Sequence, residues 1–453
     1  MAAEDANDDA DVAAEALVRE VSLVALRRWL ASPGSDVEKA LKHAMRARHD
    51  DLCQETRRDI ALCVLGIAVL RGRLAFLLDR YVDPGAGSDA ELLLALYHAR
   101  ERFPAGLDEG RARRAALVDA RLGPISTRLP PGIATAPLFA EGASPEPAER
   151  LAAECSLPLW LARRWIDELG EESALGLGDS MCKPARVTLR TNTMKASRDE
   201  VLATIEAKGV RALPTAESPW GIWLPDGRPP GGGVWQLPGF HDGRFEVQDE
   251  GSQLIVLATE ARPGERVVDY CAGRGGKTWA LAAMVAPGGE VLAWDIDAAC
   301  RKQLAGQRGE RAGAAELVTV AQEPPMASHF EGAAGADVVL VDAPCSSMGV
   351  LRRHPSQRWA VTEADVRRIA GIQLQVLLEA AVLVRRGGRL VYATCSLLHE
   401  ENGGVVEAFE GSPLGAEFEP NPLSNQSGRH QRTLLPHIHG TDGFFMARWR
   451  QRG

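Results

Sequence analysis

The chain has 453 residues, 45% apolar and 25% charged, with a formal net charge of −9. That length exceeds one compact core, so two or three soluble globular domains are expected. No uninterrupted apolar run reaches the roughly 18 residues of a membrane span, and the acidic, alanine-rich start MAAEDANDDADVAAEA lacks the pattern of a secretory signal; the expectation is a cytoplasmic protein away from membranes.

Eight cysteines are too sparse for a disulfide framework, and no C-x-x-C pair suggests zinc, so no metal site is expected. By default each is a small buried apolar residue, and a functional one must be argued from its surroundings. The acidic total counts mildly against a nucleic-acid partner, but local fields matter more than sums. Basic clusters stand at Arg111, Arg113 and Arg114, at Arg163 and Arg164, at Arg352, Arg353 and His354, and at Arg448, Arg450 and Arg452.

In chain order, apolar residues recur at helical spacing in ALVREVSLVALRRWL, in RRDIALCVLGIAVLRGRLAFLLDRYV and in DAELLLALYHARERF. This predicts an all-α domain over residues 1–130, its first 12 or so disordered. Residues 131–182 read as a Pro-rich linker followed by helices on either side of Pro158. Over 183–244 the alternating RVTLRTNTMK predicts a strand, SRDEVLATIEAKG a helix capped by Ser197, and the turn near Pro229–Gly233 closes a small α+β segment. From 245 to 453, apolar strands alternate with helices: RVVDY, EVLAWDID, ELVTV, ADVVLVDAP and GRLVYATCS, with GFFMARW as a final strand. That alternation predicts an α/β, doubly wound Rossmann-like parallel sheet.

RVVDY leads directly into Cys271, Ala272, Gly273, Arg274, Gly275, Gly276 and Lys277, which open the helix TWALAAMV. Three ligands compete for such a glycine turn. A phosphate loop needs glycine where Cys271 stands, and a dinucleotide turn needs glycine where Thr278 stands. S-adenosylmethionine needs only a close backbone approach and an acid for its ribose hydroxyls. Asp295, about 20 residues past the turn at the end of the second strand, is placed for that.

Two further strand ends carry chemistry. Asp342, Pro344 and Cys345 follow the fourth strand, and Cys395 follows the fifth. Ligands of doubly wound sheets bind beyond the carboxyl ends of the strands, so these residues should share one pocket with the glycine turn. Carbon 5 of cytosine is a poor nucleophile. A thiolate adding to carbon 6 converts the ring into an enamine that can take a methyl group, and a carboxyl at ring nitrogen 3 offsets the developing charge. The Asp-Pro-Pro-aromatic loop used for methylating exocyclic amines is absent.

With these residues in hand, the chain resembles the RsmB/Sun family of RNA cytosine-5 methyltransferases. The resemblance runs through RVTLRTNTMK, FEVQDEGSQL, DYCAGRGGKT, AWDID, VDAPCSSMGVLRRHP, YATCSLLHEEN and DGFFMARW. It implies Cys395 as nucleophile, Cys345 as the residue assisting product release, and Asp342 in contact with both cytosine and cofactor. It implies residues 271–277 and Asp295 as S-adenosylmethionine ligands. DNA cytosine methyltransferases use the cysteine of a Pro-Cys motif, which leaves Cys345 as the rival nucleophile. Two departures stand out: Arg274 replaces the family's usual proline, and VAQEPP replaces its Gly-Asp, leaving Glu323 as a stand-in for adenine-side recognition. More loosely, QETRRDIALCVLGIAVLRGRLAFLLD resembles a NusB-like RNA-binding domain, and residues 183–244 an RRM-like subdomain. The implied partner is RNA, small-subunit ribosomal RNA first and transfer RNA second, acted on by a monomer. The competing readings are a non-enzymatic RNA-binding assembly factor on a degenerate scaffold and, more remotely, a P-loop NTPase.

Overall fold

A computed structural model describes residues 2–32, 36–102, 129–140, 142–229, 233–306, 311–330, 335–424, 426 and 428–453. The basic cluster Arg111, Arg113 and Arg114 lies outside the described residues. The chain divides into a helical unit, Met1–Pro184 with Leu351–Thr362, and a second unit, Ala185–Val350 with Glu363–Gly453.

The helical unit is built from helices Ala2–Leu30, Val37–Arg46, Gln54–Tyr81 and Ala90–Tyr97, followed by Pro147–Cys155, Leu159–Leu169 and Glu171–Cys182. Side chains at the starts of the helices satisfy backbone donors there: Asp36 accepts from Glu38 and Lys39, and Asp89 from Glu91 and Leu92. Gln54–Tyr81 is long and apolar enough to cross a membrane by length and composition alone. Its Ile60, Val64, Ile67, Leu74, Leu77 and Leu78 are instead packed in the core of this unit, which makes it a core helix.

The segment after the DAPCS motif also belongs to the helical unit. Arg358 is fully buried and donates from Nη1 to the carbonyls of Val69 (2.9 Å) and Ser156 (3.1 Å), and from Nη2 to that of Met181 (3.1 Å). One guanidinium thereby joins the middle of helix Gln54–Tyr81 to the ends of Pro147–Cys155 and Glu171–Cys182.

The second unit holds two sheets. Strands β1 (Val187–Thr191), β2 (Leu213–Pro214), β3 (Gly221–Leu224) and β4 (Phe245–Val247) form an antiparallel sheet in the order β2-β3-β1-β4. The helix between β1 and β2, Arg198–Glu206, starts at Ser197 with a reciprocal capping box to Glu200. FEV of FEVQDEGSQL thus pairs with β1 before the larger sheet begins.

The larger sheet contains β5 (Arg266–Asp269), β6 (Glu290–Ala293), β7 (Val318–Val320), β8 (Ala336–Asp342), β9 (Val384–Thr394), β10 (Phe418–Pro420), β11 (Gln431–Leu434) and β12 (Phe444–Gln451). Its order is β10-β12-β9-β8-β5-β6-β7, with β11 also paired to β12. Strands β5 to β9 are parallel, as expected from their continuous apolar runs, whereas β10, β11 and β12 add an antiparallel edge. The sheet is therefore mixed, a correction to the parallel expectation: β10 is reached from β9 through helix Gly403–Glu410, and β12 then returns antiparallel between the two. Val338, Val339, Leu340 and Val341 of β8 and Leu390, Val391, Tyr392 and Ala393 of β9 are fully buried, with separate core clusters of side chains on the sheet. Strand order reverses between β5, which leads outward to β6, and β8, which leads to β9. The cleft at that switch lies beyond their carboxyl ends.

Candidate active site

β5 ends in Asp269, and its carboxylate accepts from the hydroxyl of Thr278 (2.7 Å), the first residue of helix Thr278–Val285. This bond pins the two ends of the glycine turn. Within it, Gly275 has φ +81°, and a Cβ there would lie 2.3 Å from Cδ1 of Leu304 and 2.7 Å from Nε1 of Trp279, so only glycine fits. Gly273, at φ +54°, has the opposite surroundings: a Cβ would meet nothing within 4 Å. The turn is thus packed on one side and open on the other.

Asp295, two residues beyond β6, accepts from the backbone N–H of Gly273 (2.8 Å) and that of Asp297 (2.9 Å). The acid at the second strand is thereby tied to the glycine turn. Lys277 forms an ion pair with Asp342, the last residue of β8. Its ammonium is pulled down by burial but raised more by the Asp342 carboxylate, and it stays charged. Asp269 is buried amid Asp342, Lys277 and Asp295, and burial chiefly pushes its carboxyl up to about 7.

The two cysteines meet. Cys345 follows β8, Cys395 follows β9, and their sulfurs are 3.2 Å apart. Register explains this: Asp342 pairs with Ala393, so both chains leave the sheet side by side. Gly349 then donates from its N–H to the carbonyl of Cys395 (2.8 Å), where a Cβ would clash with the backbone of Gly443 and Cys395. The hydrogen bond from the Cys345 thiol, before all else, holds Cys395 below the usual thiol range, helped by Ser347 and Lys277 against burial and the Asp342 carboxylate. That same bond and burial hold Cys345 well above it. Cys395 is accordingly the more acidic thiol of the pair. Ser347, with Oγ 3.6 Å from the Cys395 sulfur, adopts φ +62°, a costly backbone for a residue with a side chain and one often found at functional sites.

The geometry matches known proteins. Residues 255–450 match the family described as 16S rRNA methyltransferase RsmB/F, and residues 157–229 match the ferredoxin-like domain of RsmF/B-like methyltransferases. A Bacillus subtilis protein named "Probable ribosomal RNA small subunit methyltransferase B" is 34% identical over 68% of this chain and 69% of its own length. The chain belongs to the RsmB/F methyltransferase family. Ribosomal RNA small subunit methyltransferase B of Escherichia coli is 34% identical over 64% of this chain and 65% of that protein. The crystal structure of PH0851 superposes with a TM-score of 0.72 at 26% identity, covering 96% of this chain and 98% of that one.

The cofactor of this family member is S-adenosylmethionine, and the site's chemistry fits it. That molecule carries a sulfonium and an ammonium, and the Asp269 carboxyl lies within electrostatic reach of Asp295 and Asp342 here. The buried Oδ1 of Asp269 has no hydrogen-bond partner among the described residues, so the site has an acceptor in want of a donor. The open face of Gly273 admits a close backbone approach.

Of the residues expected from sequence, Lys277, Asp295, Asp342, Cys345 and Cys395 are brought to one cleft with the turn. Cys271 is half-buried on that turn, its thiol raised well above the usual range by burial, hence neutral. Ala272 is buried and Arg274 exposed. Glu323 is exposed in the loop after β7 and has no role visible in the geometry. Two contributors escaped sequence reasoning. Arg190 on β1 is buried and donates to the carbonyl of Gly276 (2.5 Å) and to Gln248 (2.7 Å), so the small sheet braces the glycine turn. Its only signal was membership of RVTLRTNTMK. Ser347 carried none, because a strained serine looks like any other in a sequence.

Proposed function

We propose that this chain methylates carbon 5 of a cytosine in small-subunit ribosomal RNA through a covalent adduct on Cys395. The observation that supports this most is the thiol pair 3.2 Å apart at the ends of β8 and β9, beside the Lys277–Asp342 ion pair. A methyltransferase acting on an exocyclic amine or a hydroxyl has no use for two thiols in its cleft.

In this reading, residues 271–277 and Asp295 hold S-adenosylmethionine, which supplies an electrophilic methyl group when bound. The Cys395 thiolate donates its electron pair to carbon 6 of the cytosine, forming an S–C bond. The ring electrons move toward carbon 5 and nitrogen 3, and the Lys277 ammonium, held in place by Asp342, offsets the negative charge on nitrogen 3. Once carbon 5 carries the methyl group, its proton must leave to a base and the Cys395–carbon 6 bond must break, returning the electron pair to sulfur. The Cys345 thiol restores its hydrogen bond to that sulfur, which makes Cys395 a better leaving group.

Transfer of labelled methyl from S-adenosylmethionine to small-subunit RNA is expected to disappear in Cys395→Ala. Turnover retained in that variant removes Cys395 as nucleophile. Cys345→Ala is expected to accumulate a protein–RNA adduct that survives denaturing electrophoresis, and a gel without the shifted band removes the release role of Cys345. Bisulfite sequencing of RNA from a deletion strain would locate the cytosine; an unchanged pattern in ribosomal RNA would move the substrate to transfer RNA.

A further inference from the structure

The mechanism above leaves one buried charged group unused. Glu401, in the LLHEEN segment, is fully buried. Its Oε1 accepts from the backbone N–H of Ser346 (2.7 Å) and from Nε2 of Gln373 (3.1 Å). Its Oε2 accepts from the hydroxyls of both Ser346 and Ser396. Ser346 follows Cys345, and Ser396 follows Cys395. One carboxylate therefore grips the residue after each active-site cysteine.

The surroundings make this grip rigid. Gln373 also donates to the carbonyl of Pro344 (2.9 Å), the residue before Cys345, so Gln373 and Glu401 hold the first cysteine from both sides. The Tyr392 hydroxyl donates to the Glu401 carbonyl (2.6 Å). Asn402 closes the other loop: its Oδ1 accepts from Thr394 (2.6 Å) and its Nδ2 donates to the carbonyl of Ser396 (3.1 Å). Cys395 lies between those two contacts. Both oxygens of the Glu401 carboxylate are satisfied in this buried network, which makes the grip stiff, because breaking one bond strands a polar group away from water.

The arrangement is also unequal. Ser346 gives the carboxylate two hydrogen bonds and Ser396 gives one, and of the two cysteine loops Oε1 bonds only to that of Cys345. A fixed negative charge disfavours a second one nearby. On the other side of the pair, the Lys277 ammonium favours negative charge on Cys395.

We propose that Glu401 is a positioning residue that clamps the two cysteine loops together and keeps the shared proton on Cys345, so that Cys395 is the nucleophile. The proposal rests on the reading of Cys395 as nucleophile. The charge of Glu401 acts in the expected sense, raising the Cys345 thiol, and does not figure among the main influences on Cys395.

The test is cysteine-by-cysteine alkylation of the full chain with iodoacetamide near neutral pH, without RNA or cofactor, read by peptide mass spectrometry. Glu401→Gln keeps the size of the side chain and removes its charge. The ratio of Cys395 to Cys345 labelling is expected to fall about threefold or more. In turnover assays, kcat is expected to fall about tenfold to a hundredfold with the KM for RNA nearly unchanged. A labelling ratio equal to that of the parent, in a variant with the parent's melting temperature, overturns the proposal. Should Glu401→Gln not fold, Ser396→Ala removes one donor and leaves the carboxylate in place; it is expected to lower kcat and shift the ratio, and an unchanged ratio there overturns the proposal equally. Failure of the underlying reading looks different: Cys395→Ala would keep transferring methyl groups, while the labelling ratio of the parent would still respond to Glu401.

Discussion

At the scale of single residues, the site turns on which of two touching thiols carries the charge. The thiolate is the reactive form, and the Cys345 hydrogen bond, with Ser347 and Lys277 behind it, holds Cys395 below the usual thiol range. Activity should therefore rise with pH along a limb lying below that range. In Ser347→Ala, which removes the hydroxyl 3.6 Å from the sulfur, the limb should move to higher pH, with kcat/KM near neutrality reduced about fivefold. A profile of kcat/KM against pH that is the same in both proteins would show that Ser347 does not support the thiolate. The motifs around both cysteines were legible in the sequence, and strand ends placed them near each other. Their separation of 3.2 Å was not legible, because it follows from the pairing of Asp342 with Ala393.

At the scale of elements, the glycine turn is held from below by Asp269 and from the side by Arg190. Asp269 is a carboxyl pushed up to about 7, mainly by burial, from an unfolded value of about 4. Between those values the folded chain binds a proton that the unfolded chain has released. The stability this group contributes is therefore present at low pH and lost as pH rises through about 7. Asp269→Asn removes the titration and keeps an acceptor for Thr278. Its melting temperature relative to the parent should rise between about pH 5 and about pH 8; a constant difference would mean that Asp269 is ionised throughout. The alternation of strands and helices, and the glycine turn with Asp295 beside it, were readable because they depend on local pattern. The bracing by Arg190 was not, because Arg190 and Gly276 are far apart in sequence and meet only when the small sheet is formed.

At the scale of the whole chain, the segment Leu351–Thr362 is the least expected feature. It follows directly on the DAPCS motif, yet it packs as part of the helical unit. Arg358 is its anchor, and its loss would leave the carbonyls of Val69, Ser156 and Met181 buried without a donor. Arg358→Ala should destabilise the helical unit by roughly 3 kcal/mol, seen as a lower midpoint in urea unfolding followed by helical circular dichroism. A midpoint equal to that of the parent would mean that the carbonyls find water instead. In the sequence, Arg352, Arg353 and His354 form a basic cluster, while nothing marks Arg358.

The sequence by itself determined the classes: helices first, a small α+β segment, an α/β sheet after it, a glycine turn with its acid, and two cysteines in motifs that mark the family. These follow from periodicity, turn chemistry and short motifs, which act over a few residues. Only the tertiary structure decided which partners those residues have: that the Cys345 and Cys395 sulfurs meet, that Arg190 braces the turn, that Arg358 anchors in the helical unit, and that Glu401 grips both cysteine loops. Each is a contact between distant segments in a buried, weakly screened setting, where a charge must find a particular partner.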